Sequence, residues 1–123
     1  MLHLEFTIVG PRFFVPEPAA AFRFDTAGVT ALPGRRPVAQ FSGRMWKING
    51  QFFSSCRCRE PARVQFEDDE GNLADPVGPL ESLALYGGSL YAGKTLLARF
   101  DEGRRVWHRA SPEADYAAIV ISA

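Results

Sequence analysis

"LALYGGSLYAGKTLLARF", residues 83–100, can be read as two different folds. Gly88, Gly93, Lys94 and Thr95 spell G-x-x-x-x-G-K-T, the loop that cradles phosphates in nucleotide hydrolases. On that reading the chain is α/β, because the loop needs a buried strand before it and a helix after it, whose N-terminal amides face the phosphates. On the other reading the same residues are short strands, with Gly87-Gly88 and Gly93-Lys94 as the turns between them.

Three features decide for strands. Asp101-Glu102-Gly103 would end a helix begun at Lys94 after barely two turns. Only 28 residues follow Thr95 in a chain of 123, too few for the further β-α units that complete such a domain. Leu90 and Tyr91 are bulky where the backbone must wrap a phosphate closely. Glycine in the turns supplies the positive φ that a tight reversal requires. The G-S-L-Y-A-G-K-T match is therefore read as false, and no cofactor is expected.

The rest of the chain has the same texture. "LHLEFTIV" alternates, with Leu2, Leu4, Phe6 and Ile8 on one face, and Gly10-Pro11 stops it. "AAFRF", "GVTAL", "ARVQFE" and the terminal "YAAIVIS" read as further strands. Ser111-Pro112-Glu113 resembles a helix start, and "EPAAAF" has room for one turn, but no helical periodicity persists. The expectation is one all-β domain over residues 1–123: an antiparallel β-sandwich or partly closed barrel of about eight to ten short strands, with at most one or two single-turn helices.

The strongest local pairing signal is Asn49-Gly50 within "VAQFSGRMWKINGQFFSSCRCRE", residues 38–60. A two-residue turn sets Ile48 opposite Gln51, Lys47 opposite Phe52 and Trp46 opposite Phe53. Continued outward, the register sets Gly43 against Cys56 and Phe41 against Cys58. One face then carries Phe41, Met45, Phe52, Cys56 and Cys58, and is read as core. The other carries Arg44, Trp46, Phe53, Arg57 and Arg59. Those five are the candidate binding residues, because Trp, Phe and Arg are enriched where proteins meet partners. The opposing reading is that Trp46 and Phe53 are covered by another segment of the same chain.

Cys56 and Cys58, two apart on a strand, point the same way and are read as buried thiols, neither bridged nor metal-bound. Nothing in the sequence places His3 or His108 near them. The acidic run "FEDDEGNLAD" lacks the spacing of a calcium loop and is read as a solvated turn. No metal is expected. Lys+Arg and Asp+Glu stand at 14 each, so no basic excess points to nucleic acid. No apolar run is long enough to span a bilayer as a helix. A cytoplasmic location follows as the default.

"GRRVWHRASPEADYAAIVIS", residues 103–122, resembles the closing segment of the PixA/AidA inclusion-body proteins in its tryptophan strand, its Ser111 turn and its Asp115-Tyr116 pair. The resemblance implies a closing β-hairpin and no function. The functional expectation is a non-enzymatic binding or assembly module acting through a protein partner or self-association. The alternatives are a small enzyme with catalytic groups on loops, or a structural subunit of a larger assembly.

Overall fold

A computed structural model describes residues 1–8 and 12–123. The expected strand stop at Gly10-Pro11 lies outside the described residues. The described chain is all-β, without helices.

Two antiparallel sheets of eight strands each face one another, and neither closes into a barrel. The first contains β1 (Leu4–Thr7), β2 (Phe13–Phe14), β8 (Ser55–Cys58), β11 (Leu83–Tyr86), β12 (Ser89–Ala92), β13 (Thr95–Asp101), β14 (Val106–Ala110) and β15 (Glu113–Tyr116). Across this sheet the order is β15-β14-β13-β12-β11-β8-β1-β2. The second contains β3 (Ala21–Phe24), β4 (Gly28–Leu32), β5 (Arg36–Ser42), β6 (Met45–Ile48), β7 (Gln51–Phe53), β9 (Ala62–Glu67), β10 (Val77–Leu80) and β16 (Ala118–Ser122). Its order is β10-β9-β16-β3-β4-β5-β6-β7.

The sixteen strands exceed the eight to ten expected because two-residue turns cut the long extended runs. The opening stretch becomes three antiparallel strands: Tyr86 pairs with Ser89 across Gly87-Gly88, and Ala92 with Thr95 across Gly93-Lys94. Lys94 thus sits in a hairpin turn with a strand after it, and the helix that a phosphate loop needs is absent. Both turns are led by a glycine at positive φ. Ser111-Pro112 is a hairpin turn too, since Ala110 pairs with Glu113. Glu113 to Tyr116 continue as a strand because β14 offers them a hydrogen-bonding partner along their whole length.

The alternating residues of the first strand behave as expected, with Leu2, Leu4 and Phe6 buried. The terminal strand β16, four of whose five residues are buried, lies inside the second sheet between β9 and β3. One core cluster fills the space between the sheets.

The hairpin around Asn49-Gly50 corrects the expected faces. Its near register is as expected: Trp46 opposite Phe53, Lys47 opposite Phe52, Ile48 opposite Gln51. Its continuation is different. Gly43 and Arg44, both at positive φ, form a second two-residue turn that pairs Ser42 with Met45 and Phe41 with Trp46. Ser54 then carries the chain from the second sheet to the first. Its N–H donates to the Thr7 carbonyl at 2.9 Å and its carbonyl accepts from Gly87 N–H at 3.1 Å. Cys56 and Cys58 therefore pair with β1 and β11 and never meet Gly43 or Phe41.

Once the chain changes sheets at Ser54, the inward positions invert. Trp46 and Phe53, expected on a partner surface, are only 1% and 3% exposed and belong to the core. Trp46 is ringed by Phe6, Phe24 and Phe41, with ring centroids 6.1, 5.8 and 4.7 Å away. Phe52, expected in the core, is exposed, with the Lys47 ammonium 5.7 Å from its ring centroid.

Candidate binding surface

Strand pairing in the first sheet lines up one outward residue from every strand. Phe13 pairs with Thr7, Thr7 with Ser55, Ser55 with Tyr86, Tyr86 with Ser89, Ser89 with Arg99, Arg99 with His108, and His108 with Asp115. Neighbouring strands lie about 4.8 Å apart, so this row runs roughly 33 Å across the sheet. The intervening residues Cys56, Leu85, Leu90, Phe100 and Trp107 point inward, so the row is the solvent side of a packed layer.

Three adjoining depressions lie along it. Glu5, Arg57, Arg59 and Ser82 line one of about 430 Å³, whose far wall is Tyr86. Tyr86 also borders a second, of about 270 Å³, with Arg44, Ser89, Arg99 and Glu102. Arg99 in turn borders a third, of about 390 Å³, with Leu96, Arg104, His108 and Glu113. Tyr86 and Arg99 are the ridges between them.

Most of the polar groups here are oriented by ion pairs. Glu5 accepts from Arg57 Nε at 2.9 Å and from Arg59 Nη2 at 2.7 Å. The bond from Arg59 does most to hold the Glu5 carboxyl below the usual carboxylate range; burial opposes it, and Arg57 adds to the lowering. At the other end Asp115 binds His108 Nδ1 at 2.8 Å and accepts from Arg104 Nη1 at 2.7 Å, and its pKa is lowered chiefly by His108. Arg104 also donates to Asp101 at 3.0 Å. Tyr86, 60% exposed, is braced by Tyr91, which meets it edge-on with centroids 5.9 Å apart.

The arginines expected to bind lie on this surface, while their aromatic companions do not. Arg57 is in the row beside the Tyr86 row, opposite Glu5 and Ala84, and Arg59 follows it. Arg44 reaches the same surface from the Gly43-Arg44 turn, 3.9 Å from Glu102. That turn packs so closely on Gly87 that a β-carbon there would lie 3.2 Å from the Arg44 carbonyl oxygen. The sequence reading missed Tyr86, Tyr91, Arg99, Glu5 and His108 as members of this surface. A local signal existed for part of it: the turn-based registration applied to Asn49-Gly50 also works across Gly87-Gly88 and sets Tyr86 beside Ser89.

The outer side of the second sheet differs. Arg23 and Glu67 reach across β16 and close over it, with Arg23 Nε 3.1 Å from Glu67 Oε2 and Arg23 Nη1 2.9 Å from Asp25 Oδ2. Those groups pair with one another beside Ala118 and Val120.

A second cluster unites a histidine with a thiol, against expectation. His3 donates its backbone N–H to Glu60 Oε1 at 2.6 Å, and its Nδ1 lies 2.6 Å from Glu60 Oε2, with Cys58 Sγ 4.0 Å from the same carboxylate. Burial raises the Cys58 thiol above its ordinary pKa; a hydrogen bond with the Glu60 backbone opposes this, and the Glu60 carboxylate adds a smaller push upward. Burial pushes Cys56 up further. Both cysteines are free, buried thiols, and a thiol held protonated is a poor nucleophile. The acidic run forms a turn closed by Asp68, whose Oδ1 accepts from Glu70 N–H at 3.0 Å and Asn72 N–H at 2.8 Å. Among the described residues no group of three or more His, Cys, Asp or Glu side chains is placed to share a metal ion. No helix there is long and apolar enough to cross a membrane.

No family model matches the chain, and neither the curated proteins nor the solved structures give a match.

Proposed function

We propose that this chain is a non-enzymatic binding module whose working surface is the outer side of the first sheet. The observation that carries it is the outward row spanning all eight strands, with three connected depressions separated only by Tyr86 and Arg99. Tyr86 stands 60% exposed near the centre of that row, among arginines, and tyrosine and arginine are residue types enriched where proteins meet partners. The aromatic part of the expected partner surface is withdrawn into the core, so the docking role passes from Trp46 and Phe53 to Tyr86 and its braced arginines. Arg44, Arg57 and Arg59 keep the role expected of them at the margin of the surface.

The enzyme alternative draws on His108, oriented by Asp115, and on His3 beside Cys58. The raised thiol pKa values weigh against the second, and neither group adjoins an activated nucleophile.

The test removes the surface without touching the core. In extracts of the source cells, the tagged wild-type chain should elute from a sizing column in a complex well above its own mass of 13.6 kDa. The triple variant Arg57→Ser, Tyr86→Ser, Arg99→Ser should elute as the free chain while unfolding at nearly the wild-type temperature. Identical elution of the two proteins would refute the assignment.

A further inference from the structure

We infer that a cleft between the two sheets, with Arg109 at its polar end, binds a small apolar monocarboxylate, chemically a short fatty acid. This site is separate from the outer surface of the first sheet and is tested independently of it.

No charged side chain is fully buried among the described residues, yet Arg109 occupies an inward position. On β14 the buried Trp107 points into the core, and Arg109, two residues on, shares its side. The same inner row continues on β13 through the buried Phe100 and Ala98, which pair with Trp107 and Arg109. The guanidinium accordingly reaches the opposite sheet, its central carbon 4.6 Å from the ring centroid of the buried Phe66 on β9. Arg23 and Arg109 are the two partly buried arginines of the described residues. Arg23 is closed on Asp25 and Glu67, whereas Arg109 has no carboxylate partner there. Its Nε donates to the Ser111 carbonyl at 3.2 Å, and both terminal nitrogens are left without a hydrogen-bond partner among the described residues. A half-buried cation with unused donors is stabilised by an anion that accepts from them.

The surroundings of Arg109 select the rest of the molecule. A cleft of about 250 Å³ adjoins it, between β9 and β10 of the second sheet and β13 and β14 of the first. Val64, Phe66, Val77 and Leu97 give it apolar walls, and Arg109 is its one charged lining residue among those described. The exposed Thr95 and Ser111 border it, so it is reached from solvent. One cation balances one negative charge, and the second charge of a phosphate monoester would stand unpaired beside hydrocarbon. The planar guanidinium fork matches the two oxygens of a carboxylate. At about 30 Å³ for each water-sized group, the cleft holds roughly eight non-hydrogen atoms, the size of hexanoate.

Titration at neutral pH, followed by NMR at the methyl groups of Val64, Val77 and Leu97, tests the site with hexanoate, butanoate, hexanol and hexylamine. Hexanoate should bind the wild-type chain and shift those methyl signals. Butanoate should bind roughly 15-fold more weakly, at about fourfold for each methylene lost. Hexanol and hexylamine should each bind at least about tenfold more weakly than hexanoate. Arg109→Met keeps the apolar stem, removes the fork, and should abolish the preference for hexanoate over hexanol. The assignment is overturned if hexanoate does not bind, if hexanol or hexylamine binds as tightly, or if Arg109→Met keeps the preference. If Arg109→Met does not fold, Val77→Phe decides, because it fills the cleft and leaves Arg109 in place. Hexanoate binding should then fall at least about tenfold, and unchanged binding would overturn the site.

Discussion

Replacing Trp46 with alanine is expected to lower the melting temperature by roughly 10 to 25 °C. Truncating a fully buried tryptophan costs about 3 to 5 kcal/mol. In a domain of this size each kcal/mol is worth a few degrees. The estimate belongs at the upper end of that range because Trp46 is the hub of an aromatic cluster. Phe6 and Phe24 meet it edge-on at interplanar angles of 72° and 79°, and Phe41 tilts over it at 45°. The indole Nε1 has no hydrogen-bond partner among the described residues, so the loss is one of packing. Trp46→Phe keeps an aromatic ring in the cluster and should recover much of the difference. Thermal denaturation followed by circular dichroism measures both. A variant that melts like wild type but changes its state of association would return Trp46 to the surface.

Gly28→Ala should be comparably damaging, for a reason of space. A β-carbon at Gly28 would stand 2.1 Å from the carbonyl oxygen of Ala39 and 3.0 Å from the α-carbon of Gln40, all backbone atoms. Neither side can retreat easily. Gly28 N–H donates to Asp25 Oδ1 at 2.9 Å, its carbonyl accepts from Asp25 N–H at 3.0 Å, and Phe41 N–H is bound to the Ala27 carbonyl at 2.8 Å. The close approach lies just before the register shift between β4 and β5, which falls between Val29 and Thr30. Forcing strands apart in a packed sheet costs about 1 to 3 kcal/mol and occasionally more, and a contact this short calls for the upper end. Gly34→Ala is the control, because nothing lies within 4 Å of its added carbon. Equal melting temperatures for the two variants would show that β4 and β5 are not so closely apposed.

The contrast between these two positions shows what was legible in the sequence. Trp46 could be registered against Phe53 from Asn49-Gly50 alone, because a two-residue turn fixes its flanking pairs locally. Which side of that pair is buried could not, because it depends on Ser54 passing to the other sheet and on β8 finding β1, some fifty residues earlier in the chain. The Gly43-Arg44 turn was missed because arginine carries no intrinsic preference for positive φ and is held there by its surroundings. The opening stretch was read correctly as strands because its evidence was local: glycine turns, and no room for a helix. The outward row of the first sheet was only partly accessible. Tyr86 beside Ser89 follows from the Gly87-Gly88 turn, but the run from Phe13 to Asp115 joins segments that only the folded sheet brings into line. Gly28 gave no sign, since its requirement is set by the backbone of a neighbouring strand.

The central claim is that the outer side of the first sheet, and not that of the second, meets the ligand. Site-specific photo-crosslinking in the source cells tests it most directly. A photo-reactive phenylalanine analogue is placed at position 86 in one variant and at Lys47, on the outer side of the second sheet, in another. Irradiation should give an adduct of defined mass at position 86 and none at position 47. An adduct at 47 with none at 86 would contradict the account.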